Sequence, residues 1–274
     1  MLEAYSGGYL TMMKFMLVFP AVFIMSAGGL QALPVSGGTA ATVKNSTITN
    51  TNQNVENKAA DNSTVNSGIS ARGASINDSV INNSNQNVRN NASGGSAINS
   101  GVSANGATIK NSSLVNTNQA VNNTAARDSK INSGINADGS TITNSRLMLN
   151  ANIQVNNLAL NESKINSGID AETAELKDAN VTNINSQVTN IALDGSKINS
   201  GVILKDAKVG NSTIVNRNSG INNLAVKDSQ INSGVSAAGA VIKDAKISNE
   251  NTGLQNTATK KSTANSGVDL GGQE

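Results

Sequence analysis

The chain has no cysteine and no histidine among its 274 residues. Lack of cysteine excludes a disulfide framework and thiolate metal sites. With histidine missing too, the usual bases, thiol nucleophiles and metal ligands are missing. The acidic residues are scattered, as at Asp170, Glu172, Glu175 and Asp178, and form no cluster that recurs along the chain. The sequence therefore predicts a protein that is not an enzyme and that holds neither a metal nor a cofactor.

Aromatic residues and proline are confined to the N-terminal part of the chain. Both tyrosines and all three phenylalanines lie at or before Phe23, tryptophan is absent, and the two prolines are Pro20 and Pro34. A compact globular core would therefore lack its largest buried side chains. Any core beyond residue 34 must be built from Val, Ile, Leu and Ala.

The chain also lacks an excess of positive or negative charge. Twenty basic residues face eighteen acidic ones, the formal net charge is +2, and no basic cluster is visible. Nucleic-acid binding depends on concentrated positive charge. We therefore expect no nucleic acid as a partner.

The only apolar run lies near the N-terminus. It covers residues 15–25, follows Lys14 and is followed by small residues at 26–29. This order predicts a secretory signal peptide over residues 1–32, cleaved after Ala32 or after Gly29, with an upstream extension if Met12 or Met13 is the true start. The alternative is a membrane anchor, but a span needs roughly 20 apolar residues. We expect a short linker at residues 33–40, no membrane span after cleavage, and a secreted, extracellular or cell-surface protein.

From residue 41 onward the chain repeats itself with a period of 33, apart from one copy of 34. The most regular stretch is Ser-Lys-Ile-Asn-Ser-Gly-Ile at residues 129–135. A fixed period of this size indicates stacked repeats, each of which buries its apolar face against its neighbours. The asparagines of the Asn-Ser-Gly triplets are Asn66, Asn99, Asn132, Asn166, Asn199, Asn232 and Asn265. The glycines of the triplets are Gly68, Gly101, Gly134, Gly168, Gly201, Gly234 and Gly267.

The apolar spacing within a copy does not fit a helix. Counted from the serine that opens each copy, positions 3, 7, 14, 19 and 26 are nearly always Ile, Val or Leu, and positions 9, 12 and 30 are usually Ala. Asn, Gly, Ser and Thr interrupt the pattern every few residues, which favours short strands joined by turns. The sequence predicts an all-β solenoid, similar to a parallel β-helix, over residues 41–270. It would have about seven coils of two or three short strands, and a tail at 271–274.

Stacking in register would place identical residues above one another. We expect the seven triplet asparagines to form a ladder in which each side-chain amide donates to the next coil. The seven triplet glycines are predicted to turn a corner where a side chain would clash. A weak half-repeat, Ser-x-Ile at positions 1–3 and 17–19, leaves two smaller coils or one hairpin per repeat open. The extra residue of the longer copy is predicted to form a bulge near residues 146–149.

Disorder is the main alternative to this fold. Low aromatic content and many polar residues favour it, and folding only on assembly is an intermediate possibility. The apolar positions nevertheless stay in phase through seven copies. A flexible linker has no reason to keep that phase, so the pattern favours an ordered solenoid.

The array begins and ends with partial copies. The first fragment, from Ala41, supplies roughly positions 12–33, and the last, from Ser262, supplies roughly positions 1–11. No divergent capping repeat is visible, although solenoids normally block their open strand edges. One explanation for the partial copies is that the array simply begins and ends at an arbitrary position within the repeat. The sharper hypothesis is head-to-tail polymerisation, a contact between unlike surfaces that does not close.

The tandem Ser-x-Ile-Asn-Ser-Gly elements, and Asn-Asn-x-Ala elements such as those at 122–125 and 222–225, resemble in style the repeats of secreted bacterial functional amyloids. Curlin and Fap-type fibre subunits are examples. The resemblance covers residues 41–270, but the copies here lack the fixed Gln ranks of curlin and the variable linkers of Fap-type repeats. It implies a structural subunit of an extracellular filament or biofilm matrix, with itself and a secretion or nucleator protein as partners.

Two functions remain open from the sequence. The first is a non-enzymatic filament subunit that assembles head-to-tail through its incomplete terminal repeats. The second is a monomeric or surface-anchored adhesin that binds a receptor or glycan through one face. The second function predicts a non-repeating patch of exposed side chains on that face.

Overall fold

The computed structural model of the chain describes residues 23–25, 41–145 and 147–270. This part of the chain contains only strands and turns, so no helix in it could cross a membrane. All strand pairs are parallel and belong to four sheets that run along one stack. The predicted β-solenoid is confirmed. The predicted signal peptide, apart from residues 23–25, the linker at 33–40 and the tail at 271–274 lie outside the described residues.

Three of the four sheets consist of short strands. Each coil contributes one strand to each of these three sheets. The first short sheet contains Thr64–Asn66, Ala97–Asn99, Lys130–Asn132, Lys164–Asn166, Lys197–Asn199, Gln230–Asn232 and Thr263–Asn265. The second short sheet contains Ile69–Ser70, Val102–Ser103, Ile135–Asn136, Ile169–Asp170, Val202–Ile203, Val235–Ser236 and Val268–Asp269. The third short sheet contains Thr42–Lys44, Ser75–Asn77, Thr108–Lys110, Thr141–Thr143, Glu175–Lys177, Lys208–Gly210 and Val241–Lys243.

The fourth sheet, the long sheet, carries most of the backbone pairing. Its inner members are long unbroken strands, and its outer members are split into two shorter ones. They are Thr47–Gln53, Glu56–Ala59, Val80–Gln86, Arg89–Ser93, Ser113–Ala126, Leu147–Leu160, Asn180–Leu193, Thr213–Val226, Lys246–Thr252 and Gln255–Thr259. Phe23–Met25 pairs in parallel with Ile48, Thr49 and Asn50 at the outer edge of this sheet.

The strand register shows one coil per repeat. Ile98 pairs with Ile131, and Thr108 pairs with Thr141, in each case one full period further along the chain. Two smaller coils or a hairpin per repeat are therefore excluded. The offset changes from 33 to 34 between the pair of Lys110 with Thr143 and the pair of Ser113 with Leu147, where the extra residue was expected.

The long strands contradict the expectation of two or three short strands per coil. In Ser113–Ala126 the interior side chains include Leu114, Asn116 and Asn118, which are at most 1% exposed. Strict alternation between inside and outside therefore holds through most of the strand once asparagine is counted as an interior residue. The sequence pattern appeared broken only because asparagine is normally an exposed or turn residue.

Left-handed backbone conformations set the bends between strands. One coil has them at Gly106, Asn111, Ala120, Arg127 and Asp128, with φ between 51° and 64°. Asn, Asp and Gly adopt this conformation at least cost, which explains their frequency in the repeat. Ala120, which has the left-handed conformation, lies within a long strand and bends it. The alternation of buried and exposed side chains shifts there, and the next fully buried side chain is that of Val121.

The interior contains three apolar clusters. The largest combines the aliphatic residues of positions 7, 14 and 19 with the alanines of positions 9 and 12, as in Val102, Ile109 and Leu114. A second packs Ile131 and its equivalents against Ala125 and its equivalents, and a third is the column of Val121 and its equivalents. All the predicted apolar positions are buried in the inner coils. Each fully buried aliphatic side chain of this kind stabilises the fold by about 1.5–3 kcal/mol.

Candidate functional site

The Asn-Ser-Gly segment lies between the first two short sheets and faces both the interior and the surface. In the coil that begins at Ser129, Ser133 is fully buried, while Asn132 remains partly exposed. Ser133 separates Ile131, in the second apolar cluster, from Ile135, in the largest one. The segment therefore divides the core on its inner side and forms a groove on its outer side.

Two buried columns of asparagine from the long sheet bind the backbone of this segment. Asn116 and Asn118 both donate to the carbonyl oxygen of Ser133, at 2.6 and 2.7 Å. Each also donates to its equivalent in the next coil, Asn150 at 2.8 Å and Asn152 at 2.7 Å. The first column is Asn50, Asn83, Asn116, Asn150, Asn183, Asn216 and Asn249. The second is Asn52, Asn85, Asn118, Asn152, Asn185, Asn218 and Asn251.

A third buried column binds the serine side chain. Asn123 donates to the side-chain oxygen of Asn157 at 2.8 Å and accepts a hydrogen bond from the Ser133 hydroxyl at 2.9 Å. Its members are Asn57, Asn90, Asn123, Asn157, Asn190, Asn223 and Asn256. We call these three columns, with the serine column, the polar seam. Its amides satisfy one another, which is the condition for burying so many polar groups.

The seven predicted ladder asparagines, Asn66 to Asn265, form a fourth column at the floor of the groove. Asn99 donates to Asn66 at 2.8 Å, and Asn166 donates to Asn132 at 3.0 Å. The remaining steps of the column lie between 2.8 and 3.0 Å. Each amide donates to the preceding coil, so the direction expected from the sequence was wrong. The three seam columns run the opposite way.

The triplet glycines bring neighbouring coils into close contact. A Cβ atom on Gly134 would overlap the carbonyl oxygen of Gly168, and the same holds from Gly68 to Gly234. The Gly134 amide donates to the carbonyl oxygen of Asn166 at 3.0 Å. These glycines do not adopt the left-handed conformation. They are needed for approach between coils rather than for a special φ angle.

The polar seam was missed by reasoning from sequence, although a signal was present. Asparagine recurs at positions 21, 23 and 28 as regularly as at position 4. Regular recurrence shows that a residue is required, but not whether it is inside. The alternation of side chains along a strand would have shown that these asparagines lie inside. Positions 19, 21 and 23 of the repeat share a face of the long strand, and position 19 is aliphatic.

The groove runs along the stack, between the first and second short sheets, with a volume of about 720 Å³. Lys130, Lys164 and Lys197 line one wall in three successive coils. Asp138, Asp170, Glu172 and Asp269 lie on the side of the second short sheet. The outer coils place Thr64, Ala97, Gln230 and Thr263 where the middle coils carry lysine. Unlike the polar seam, the groove is therefore not the same in every coil.

Asp170 is the most perturbed ionisable group of the groove. Burial raises the pKa of its carboxyl from 3.8 to about 6, and the nearby carboxylates of Asp138 and Glu172 add to the rise. The backbone N–H of Glu172, which donates to Asp170 at 3.3 Å, and the charge of Lys164 oppose it. A shifted carboxyl often marks a functional site, but such shifts also arise in structural clusters. Among the described residues, no group of three or more acidic, His or Cys side chains could hold a metal ion.

The outermost coils leave the seam columns with two different ends. Asn50, at one end, donates to Asn83, and Asn249, at the other, accepts from Asn216. The described residues place no further coil beyond either one. The Asn249 end presents amide N–H groups and the Asn50 end presents amide oxygens. The stack is thus polar along its axis.

No protein-family model matches this chain, and no curated protein matches it. Among solved structures it is similar to HetL, a pentapeptide repeat protein involved in heterocyst differentiation regulation in the cyanobacterium Nostoc. The identity is 11%, over 76% of this chain and 87% of that one, with a TM-score of 0.13.

Two further solved structures are similar to the chain at the same level. QnrB1, a plasmid-mediated fluoroquinolone resistance protein, is 10% identical over 72% of this chain and 91% of its own, with a TM-score of 0.14. The A-module of a mannuronan C-5 epimerase from Azotobacter vinelandii is 8% identical over 78% and 87%, with a TM-score of 0.12. TM-scores this low describe no common superposition, so the function of this chain is not inferred from these proteins.

Proposed function

We propose that the protein is a non-enzymatic structural subunit of an extracellular bacterial filament or matrix, assembled head-to-tail. The observation that carries the proposal is the direction of the polar seam. Every seam asparagine that has a coil after it donates to that coil, as Asn150 does to Asn183 at 2.9 Å. A column of this kind can be continued only by a second copy in the same orientation, because donors then meet acceptors.

The two edges match in register as well as in polarity. Placing the Asn50 edge of one copy on the Asn249 edge of another would pair Asn249 with Asn50, Asn251 with Asn52 and Asn256 with Asn57. This repeats the pairing of Asn216 with Asn249 within the chain. All four sheets would continue across the junction. An open parallel edge of this size is otherwise a site for uncontrolled aggregation.

The N-terminal strand occupies part of the edge that the junction would use. Residues 23–25 pair with Ile48, Thr49 and Asn50. These residues belong to the predicted signal peptide, so cleavage after Ala32 would remove them. We propose that export and cleavage expose the edge, which would confine assembly to the outside of the cell, where a secretion or nucleator protein could direct it. The biofilm or adhesive role is part of this proposal and follows from the resemblance of the repeats to functional-amyloid subunits.

The proposal is tested by assembly of the chain purified without residues 1–32. We expect filaments by electron microscopy, growth that depends on protein concentration, and a fibre-diffraction repeat of about 4.8 Å along the axis. Protein concentration must be measured without absorbance at 280 nm, since neither Trp nor Tyr occurs after Tyr9. A protein that sediments as a monomer at all concentrations, without this repeat, would contradict the proposal.

A matched variant separates assembly from folding. Asn249→Asp would replace an amide donor with a carboxylate at the open end, where it would face the oxygen of Asn50 in the next copy. Asn183→Asp makes the same change inside the stack. Asn249→Asp also removes a bond to the carbonyl oxygen of Ser266 at 2.7 Å, but this affects only the last coil. We therefore expect Asn249→Asp to slow filament growth while the monomer keeps most of its circular dichroism, and Asn183→Asp to damage the monomer itself.

A second candidate function is a monomeric or surface-anchored adhesin. The observation that favours it is the charge pattern of the groove, since Lys130, Lys164, Lys197 and the acidic residues opposite are confined to a few coils. A receptor or glycan bound along the groove would explain such a non-repeating surface. This function predicts a monomer whose sedimentation does not depend on concentration and whose binding is lost in Lys164→Ala.

A further inference from the structure

Outward side chains of the long sheet form an aliphatic patch in three neighbouring coils. The patch consists of Leu158, Leu160, Ile191, Leu193, Leu224 and Val226. They form two columns, because Leu158 pairs with Ile191 and Ile191 with Leu224, while Leu160 pairs with Leu193 and Leu193 with Val226. All six are only partly buried, whereas the side chains between them, such as Ala159 and Ala192, are fully buried.

The fold does not require aliphatic residues in these columns. The same two columns carry Asn91 and Ser93 in an earlier coil and Thr257 and Thr259 in the last one. These coils keep the same parallel register. Stacking along a column shields part of each side chain but leaves its outer side in water. The patch is therefore a surface feature that the core does not explain.

A polar rim surrounds the patch. Asn156, Thr189 and Asn222 border it on one side within the same strands. The turns on the other side carry Asp194 and Lys227, which form an ion pair at 2.8 Å. Apolar surface enclosed by polar and charged residues is the usual composition of a protein interface.

The size of the patch indicates which partner it fits. Three strand residues by three coils cover about 10 by 14 Å, or about 140 Å². A stable pair of proteins needs about 800 Å² from each partner. One patch alone is too small. In a filament the patch would recur with every subunit of seven coils, about every 34 Å, so that about six neighbouring subunits together supply enough area.

We infer that the patch binds the same patch on a second filament of this chain and pairs the two filaments side by side. A two-fold axis along the strand direction would place each aliphatic column on its own copy, with Ile191 and Leu193 at the centre. The two filaments would run in opposite directions. Because both have the same subunit spacing, every patch would find a partner. This inference rests on the proposed filament.

The test is electron microscopy of filaments formed by the wild type and by an Ile191→Lys, Leu193→Lys double variant. The wild type is expected to form paired filaments and the variant single ones of the same subunit rise. The matched control is Asn91→Lys with Ser93→Lys, which changes the same columns outside the patch and is expected to leave pairing intact. If the lysine variant fails to fold, Ile191→Thr with Leu193→Thr uses residues that these columns already accept in the last coil.

The outcomes are distinguishable. Single wild-type filaments, or pairing that survives both patch variants, would overturn the inference and leave the filament proposal standing. Absence of any wild-type filament would overturn both. Loss of pairing in the control variant as well would show that added charge, and not the patch, governs association, and would also overturn the inference.

Discussion

Columns of asparagine lie on both the inner and the outer side of the Asn-Ser-Gly segment, but the two sides differ in how far the asparagines are buried. On its inner side, three asparagine columns are buried in the inner coils, and each forms hydrogen bonds along its own column and to the serine column, as Asn183 does at 2.6 Å to the carbonyl oxygen of Ser200. On its outer side, the column of Asn166 is partly exposed to the groove. Buried amides must be satisfied, while exposed ones can use water. We therefore expect the loss of an inner asparagine to cost more stability than the loss of an outer one.

The largest effect on this comparison is expected from Gly168→Ala. Its Cβ would overlap the carbonyl oxygen of Gly201, a backbone atom that cannot move without separating the coils. We expect a loss of about 3 kcal/mol or more in unfolding free energy, measured by urea denaturation with circular dichroism. Gly210→Ala is the control, since nothing lies near its Cβ and its φ is not in the left-handed region. Equal stability of the two variants would show that the coils do not approach as closely as described.

A smaller loss is expected from Asn183→Ala, which breaks the polar seam. The change removes the bonds to Ser200 and Asn216 and leaves the buried amide of Asn150 without its acceptor in the next coil. We expect a loss of about 1–3 kcal/mol in the same measurement, because unpaired buried polar groups keep their full desolvation cost. A loss below about 0.5 kcal/mol would mean that the apolar clusters alone hold the coils together.

Asp170→Asn sharpens the comparison on the groove side. Burial raises the pKa of Asp170 to about 6 from 3.8, so the folded protein holds this proton more tightly than the unfolded chain does. Its contribution to stability is fully present below pH 3.8 and is lost as the pH rises to about 6. The variant should abolish that decline and be more stable than the wild type by about 3 kcal/mol at neutral pH. At pH 3 the two proteins should be equally stable, and a difference that persists there would contradict the assignment.

The smallest effect is expected from Asn166→Ala in the groove column. It removes the bonds to Asn132 at 3.0 Å and to the carbonyl oxygen of Ile135 at 3.2 Å, and it takes from Asn199 an acceptor at 2.9 Å. All three groups line or adjoin the groove, where water can replace the lost partners. We expect a loss below about 1 kcal/mol in urea denaturation. A loss as large as that of Asn183→Ala would remove the distinction between the two sides.

The fold could be predicted from the sequence because its period and its aliphatic positions both indicate stacked coils with an aliphatic interior. Ile131, Leu114 and Val121 recur in phase, and their burial follows directly. The length of the strands could not be predicted, since Asn116 and Asn118 lie at interior positions that propensity assigns to the surface. The triplet glycines are evident from their recurrence, but only the stacking of the coils shows that a Cβ at these positions would overlap the backbone of the next coil.

The groove and the aliphatic patch were beyond the reach of repeat analysis for a different reason. A search for recurrence selects what every coil shares. Lys164, Asp170 and Ile191 belong to surfaces that only a few coils carry. In the sequence, residues that differ between copies look like random variation. Only the strand register shows that some of them lie side by side on one surface.

The most direct test of the central claim is helical reconstruction of filaments by cryo-electron microscopy. If the polar seam continues from copy to copy, the subunit rise will be seven coils of about 4.8 Å, or about 34 Å. Asn249 of one copy will then donate to Asn50 of the next, with no break in the sheets. Filaments whose subunits contact through the groove or the outer face, with a gap between successive stacks, would contradict head-to-tail continuation of the solenoid.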